Sequence, residues 1–383
     1  MSDKLELLIG ADILPNEYNE SIFFNNSSKE LLGEELSNRI AQADFRIFNL
    51  EGPLTNIKSP ILKSGPVISG SEESIHGIKS INPDLLVLSN NHILDEGQSG
   101  VERTVSILEK NKISYIGIGK TEKERRKSYI FEKKDIKVGI YNCCEHEFSI
   151  SDEGMWGANP YDPLYAFDDI RELKNNCDFI IVLYHGGKEY FRYPAPILQR
   201  IFRKFSDSGA DVVIAQHTHC IGAAENYNES LLVYGQGNFL FDTEESEFEN
   251  TSLLVSLKIS NDRPFAYDFI PICKNKYLTR LASEAEKSEI LKLFNERSEK
   301  LNDETFIRNA YTEKALEYLR GYLLNMHIGN KLDTIFIRLY LRLPLKLRRK
   351  FFKKTLDKLL ATLNYFSCES HRDLLIEGLK NII

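Results

Sequence analysis

The segment DLLVLSNNHILDEG, Asp84 to Gly97, runs an apolar stretch directly into Ser89, Asn90, Asn91 and His92 before breaking at Asp95-Glu96-Gly97. A short apolar run bounded by turn residues reads as a buried strand. Two side-chain amides and an imidazole at its end cost free energy to desolvate unless they find partners. They mark either a site at the carboxyl end of the strand or a polar turn that carries a histidine.

The same pattern recurs on both sides. "LLIGAD" ends at Asp12, "FRIFNLE" at Asn49 and Glu51, "DFIIVLYHGGKEY" at His185, Glu189 and Tyr190, and "DVVIAQHTH" at His217 and His219. Further strands are expected at "ISYIGIG", "VGIYNCC", "SLLVYGQGN" and "SLLVSLKI". Helix-period stretches lie between several of them: "SKELLGEELSNRIAQA", "GQSGVERTVSILEKNK" and "PAPILQRIFRKFSDSG", the last closing on Gly209. Continuous apolar strands alternating with amphipathic helices predict α/β layers around a largely buried, mixed sheet. In such folds ligands bind beyond the carboxyl ends of the strands, where several tips converge.

Length and composition bound the rest. The chain has 383 residues, 42% apolar and 27% charged, within the ordinary range for globular proteins. Its net charge of -7 argues against general nucleic-acid binding. No apolar run approaches the roughly 18 residues of a membrane span. The start, MSDKLELLIGAD, is acidic where a secretory leader is basic, so a cytoplasmic protein is expected. Six cysteines show neither zinc-ligand spacing nor a disulfide framework, and reduced thiols are expected. After about Asn275 short strands give way to helix-period sequence, predicting one domain over 1–275 and an α-helical region over 276–383.

Taken singly, each polar tip has a bland reading. Asp12 could cap the next segment, His92 could be a satisfied turn residue, and Gly186-Gly187 could be a plain tight turn. Glu145, His146 and Glu147 read more simply as a solvated loop than as an accessory cluster. His217-Thr218-His219 on an extended segment would put both imidazoles on one side. Together, histidine, carboxylate and amide oxygen suit a divalent transition ion such as Mn, Zn or Fe better than the oxygen-only shells of magnesium and calcium. One or two such ions are expected. No nucleophile elbow, phosphate-binding loop or dinucleotide fingerprint is present.

The ordered pieces "GADILP", "FNLEGPLT", "SNNHILDEG", "YHGGKEY", "AQHTHCIG" and "VYGQGNFLFD" resemble the CapA family of poly-gamma-glutamate capsule biosynthesis proteins, a branch of the calcineurin-like metallophosphoesterases. The resemblance spans roughly residues 8 to 242. It implies a four-layer α/β/β/α sandwich with Asp12, Glu51, Asn91, His185, His217 and His219 as the metal shell. Glu51 would bridge two ions, and His92 would act as a general acid beside them. Glu189 joins His92 as a catalytic candidate. Asn49, Asn90, Lys188, Tyr190 and Arg192 are candidates for gripping an anionic substrate, and Asn238 for a supporting role. Three positions depart from the family's pattern. Ala11 precedes the first aspartate, Gln216 stands where another histidine is usual, and Leu14 stands where the wider superfamily has a histidine ligand.

The resemblance points to a metal-dependent hydrolase of a phosphoester or related ester or amide in capsule or surface-polysaccharide synthesis. Its substrate would be an anionic small molecule, polymer or lipid-linked glycan, and no nucleic acid. Leu14 keeps open a non-catalytic accessory role in polymer synthesis or export, and a glycan-decorating transferase would need the same centre. The basic, apolar segment 331–360 suits either packing on the α/β body or peripheral contact with the inner membrane face.

Overall fold

A computed structural model of the chain describes residues 4–63, 65–241, 250–260, 265–275 and 278–326, with positions 342–344, 347 and 366 beyond them. By its internal contacts the chain divides into a unit of Met1–Tyr311 and a unit of Thr312–Ile383.

Two sheets form the interior of the first unit. In the larger, strand Leu5–Leu14 lies between Phe45–Leu50, parallel to it, and Thr251–Ile259, antiparallel. Leu85–Val87 and Ser114–Ile116 extend the parallel side, while Ala266–Asn275 and Leu278–Leu281 extend the antiparallel side. Asn238–Phe241 pairs with the end of the first strand. The second sheet places Val212–Gln216, Phe179–His185 and Ile136–Cys144 in parallel at its centre, flanked by Ser230–Val233. Strands Ala224–Tyr227 and Tyr129–Lys133 close its edges antiparallel.

Side chains alternate along a strand, so each sheet has two apolar faces to cover. Leu5, Leu7, Ile9, Phe45, Ile47, Leu85 and Val87 of the first sheet pack against Val138, Ile140, Ile181, Leu183, Val212 and Ile214 of the second. The intervening residues point outward. Leu8, Phe48 and Leu86 meet Leu31, Leu36, Val101 and Leu108 from helices Ser28–Ala41 and Gly97–Lys110. Ile180, Val182 and Val213 meet Ile170, Leu173, Phe202 and Phe205 from helices Ala166–Asn176 and Pro196–Asp207. The order is helix, sheet, sheet, helix, the expected four-layer sandwich.

Two expectations shift in detail. "ISYIGIG" is not one strand. It breaks at Gly117, where φ is 90° and an added Cβ would lie 2.1 Å from Asn142 Oδ1, so only glycine fits. The change of character near 275 is a change of secondary structure, and the compact unit continues past it. Ser283 opens helix Glu284–Glu299 with a capping box, and Phe294 is buried against Ile221 and Leu253. The basic segment 331–360, apart from positions 342–344 and 347, lies outside the described residues, as does Cys368. Among the described residues no helix is long and apolar enough to cross a membrane.

Two buried amides tie the two sheets together at one edge, and a third, Gln236, binds the first sheet from the connection between Ser230–Val233 and Asn238–Phe241. Asn142 accepts from Ser89 N–H (2.8 Å) and donates to Leu183 C=O (3.0 Å). Gln216 donates to Gly10 C=O and Gln236 to Ile9 C=O, each at 3.0 Å. Replacing Asn142 by alanine would orphan a buried donor and a buried acceptor, each costing about 1–3 kcal/mol. The Asn142→Ala variant is therefore expected to lose about 2–4 kcal/mol in denaturant titration; an unchanged midpoint would show that these contacts do not hold the sheets.

Candidate metal centre

The inter-sheet apolar rows end in polar residues at one shared edge. Phe45-Ile47 leads with period two to Asn49, Leu85-Val87 to Ser89, Ile181-Leu183 to His185, and Val212-Ile214 to Gln216. The first strand differs, because its register with Phe45–Leu50 shifts between Ile9 and Asp12. Such bulges re-aim side chains beside functional sites. Here the shift sets Asp12 level with Asn49 on one neighbour and Asn238 on the other. Glu51 follows as its strand ends, with its N–H bonded to Ile13 C=O (2.9 Å) and Gly52 turning the chain at φ 122°.

His217 and His219 do not lie on an extended segment, as the spacing suggests. Their strand stops at Gln216, and both residues take left-handed backbone conformations, with φ of 86° and 52°. A non-glycine residue there stores of order 1–3 kcal/mol, which the surroundings must hold. Asp12 Oδ2 accepts from His217 N–H (3.2 Å), and Thr218 C=O accepts from Tyr190 N–H (2.9 Å). The turn still gathers the rings, with His217 4.9 Å from His185 and 5.8 Å from His219, centroid to centroid.

Three groups of side chains converge closely enough to share an ion: Glu51, His185 and His217; Asp12, Glu51 and His219; and Glu189, His217 and His219. Within each, one ligand atom per residue lies within 4.8 Å of the others. Asp12 and Glu51 are fully buried. Neither oxygen of Glu51 has a hydrogen-bond donor, and Nδ1 of the buried His217 has no partner. Burial, then the neighbouring Glu51, pushes the Asp12 carboxyl up to about 7, and burial also pushes Glu51 upward. Burial pulls His185 down to about 4 and His217 well below the ordinary imidazole value. For His219 burial pulls downward, but Glu51 and Asp12 outweigh it and the net shift is upward. A Glu51 carboxylate without a donor, beside His185 and His217 held neutral by burial, fits a cation, and transition-ion chemistry matches this nitrogen and oxygen set.

Asn91 joins the cluster. Its Oδ1 lies 3.0 Å from His185 Nε2, while its amide nitrogen donates to Glu147 (2.8 Å), which aims the oxygen inward. Asn49 and Asn90, expected at the substrate, are fully buried and committed elsewhere. Asn49 donates to Asp12 (2.8 Å), and Asn90 donates to Asn49 (3.1 Å) and to Leu50 C=O (2.8 Å). They orient ligands. Lys188, Glu189, Tyr190 and Arg192 are half-buried at the rim, and Arg192 donates to Ile221 C=O (3.0 Å). Leu14 is buried and brings no ligand atom. Asn238 holds His219 Nδ1 at 2.8 Å, a supporting position.

Sequence reasoning missed two groups. The first surrounds His92, whose Nδ1 lies 2.7 Å from Asp95 Oδ2 and 3.2 Å from Lys63 Nζ, with Lys63 paired to Asp95 at 2.6 Å. Asp95 was visible three residues after His92. Lys63, in an irregular segment, carries no periodic signal. The second is Glu145 and Glu147, set aside as a solvated loop. Glu145 accepts from Gly187 N–H (3.0 Å), and Glu147 holds Asn91. Cys143 and Cys144 are buried, with the Cys144 thiol pushed up by burial to about 12, so neither is poised as a nucleophile.

Residues 7–243 match the family described as bacterial capsule synthesis protein PGA_cap, well over half of the chain. The chain belongs to this family. The capsule-synthesis relatives include the PGA biosynthesis protein CapA of Bacillus subtilis, 24% identical over 257 residues that cover 66% of this chain and 67% of the relative. The capsule biosynthesis protein CapA of Bacillus anthracis is 23% identical over 280 residues, 71% of this chain and 68% of the relative. Among solved structures, a novel phosphatase from Mycoplasma pneumoniae aligns at a TM-score of 0.44 and 16% identity, over 72% of this chain and 97% of that one. At that distance nothing about chemistry transfers.

The candidate centre makes a prediction about pH. Below about pH 7 Asp12 holds a proton that an arriving divalent ion must displace, and His219, shifted upward by Glu51 and Asp12, adds a second, whereas His185 and His217 are already neutral there. Manganese affinity should therefore fall by roughly tenfold per displaced proton as pH drops one unit below 7, and level off at higher pH. Calorimetry in buffers of different ionisation heat counts the protons; an affinity independent of pH between about 6 and 8 would contradict the assignment.

Proposed function

We propose that this member of the capsule-synthesis family is a metal-dependent hydrolase of phosphoesters or related esters or amides. Its substrate is an anionic small molecule, polymer or lipid-linked glycan of the cell surface. The observation that carries the reading is the fully buried Glu51 carboxylate, without a donor on either oxygen and belonging to two of the three ligand groups.

Asp12, Glu51, Asn91, His185, His217 and His219 would hold one or two divalent ions. When bound, such ions polarise the scissile group and make water acidic enough to attack near neutral pH. The protein's own part is positioning and proton transfer. Asp95 at Nδ1 of His92 fixes that ring and leaves Nε2 to protonate the leaving oxygen. Lys63, buried against Asp95, places a positive charge beside this histidine. The half-buried rim residues Lys188, Tyr190 and Arg192 face the anionic part of the substrate.

Leu14 favours one rival reading, an accessory protein that binds a polymer without turning it over, because it leaves the Asp12 side with fewer ligands. Turnover separates the two. Protein loaded with manganese is expected to hydrolyse generic phosphodiester or phosphomonoester probes. The His217→Ala variant should lose both bound metal and activity. His92→Asn should keep its metal while kcat falls by about 10²–10⁴. Hydrolysis that survives both chelation and His217→Ala would sink the metal-dependent reading, and a fully metal-loaded, inactive protein would favour the accessory one.

A further inference from the structure

We propose that Glu189 is a metal ligand, forming with His217 and His219 a solvent-facing ion position at the rim of the centre. The inference rests on the metal centre of the proposed function and adds to it a ligand from a different loop. Two imidazoles and one carboxylate make a set that takes divalent manganese, iron or zinc and leaves coordination positions open.

The first argument is reach. One ligand atom each from Glu189, His217 and His219 lies within 4.8 Å of the others, near the span of atoms bonded to one ion at about 2.0–2.2 Å. Glu189 Oε1 stands 3.8 Å from His217 Nε2. The second is ring orientation. His219 has Nδ1 bound to Asn238 Oδ1 at 2.8 Å, which leaves Nε2 for an ion.

The third argument is that the backbone holds Glu189 in place. Gly187 has φ 108° and gives its N–H to Glu145, while Tyr190 is in the left-handed region at 56° and gives its N–H to Thr218 C=O. Glu189, one of the two residues between these anchors, is thus fixed against the very turn that carries both histidines. The Tyr190 ring, 5.8 Å from that of His219, packs on the same corner. Backbone held in sparsely populated conformations beside a functional group is a recurrent means of preorganisation.

The fourth argument is exposure. The Glu189 side chain is 38% exposed, whereas Asp12 and Glu51 are fully buried. An ion on Glu51, His185 and His217 would be enclosed by protein, but one that includes Glu189 would meet solvent and substrate. His217 and His219 each belong also to a group containing Glu51, and His219 has only Nε2 to give, so the outer position competes with the Asp12, Glu51 and His219 position for that ligand.

The test is manganese binding to the full chain, followed by calorimetry and by the spin resonance of free Mn²⁺, for the unsubstituted protein and Glu189→Gln. Glutamine keeps the size and removes the anionic ligand, and an unchanged denaturation midpoint confirms the fold. The expected result is that one manganese ion binds at least about tenfold more weakly in Glu189→Gln, while Glu132→Gln, exposed on the edge strand Tyr129–Lys133 at the opposite end of its sheet, titrates like the unsubstituted chain. Equal numbers and affinities for the unsubstituted protein and Glu189→Gln would overturn this inference alone. No manganese binding by the unsubstituted chain would overturn the metal centre, and this inference with it.

Discussion

Two carboxylates, Asp12 and Glu51, sit fully buried in the gap where two sheets meet, and neither is neutralised by a lysine or arginine. Burying one unpaired carboxylate costs several kcal/mol, and a second beside it adds repulsion. Beside them His185 and His217, held neutral by burial, have lone pairs to offer, an arrangement that makes sense around a cation. Much of the local architecture serves this cluster: the bulge that turns Asp12 inward, the amides of Asn49 and Asn90 that orient the ligands, and the strained turn at His217 and His219.

The fold supplies the geometry through one repeated device. Strands alternate with period two, and each inter-sheet apolar row runs out into a polar residue at the same end. That edge brings together groups from residues far apart in sequence, as it does Asp12 and His217. Asn142 and Gln216 then bond across the gap, so the two halves of the centre are held in register by side chains as well as by packing. The cluster inherits its precision from the sandwich.

Much of this was legible before any coordinates. Apolar runs ending in Asp12, Glu51, His92, His185 and His219 identify strand tips, because so many polar groups at the ends of buried runs, taken together, outweigh the bland reading each has alone. Six of the expected ligands do converge. What stayed hidden depends on tertiary detail. Period two predicted an extended His217-Thr218-His219, whereas backbone strain held by distant partners brings those rings together. Asn49 and Asn90 looked like substrate contacts because residue type does not reveal which side of a ligand an amide supports. Lys63 was invisible, since its partners Asp95 and His92 lie across an irregular segment. Glu147 looked solvated, and only the folded chain brings it to Asn91.

Membership of the capsule-synthesis family places the chain among proteins of bacterial surface-polymer synthesis, and the buried ligand cluster turns that relation into a chemical hypothesis. The most direct measurement is a crystal structure grown with manganese and examined at the metal's absorption edge. The account predicts an anomalous peak in contact with Glu51, His185 and His217. No peak there at saturating manganese, with these side chains ordered as described, would contradict it.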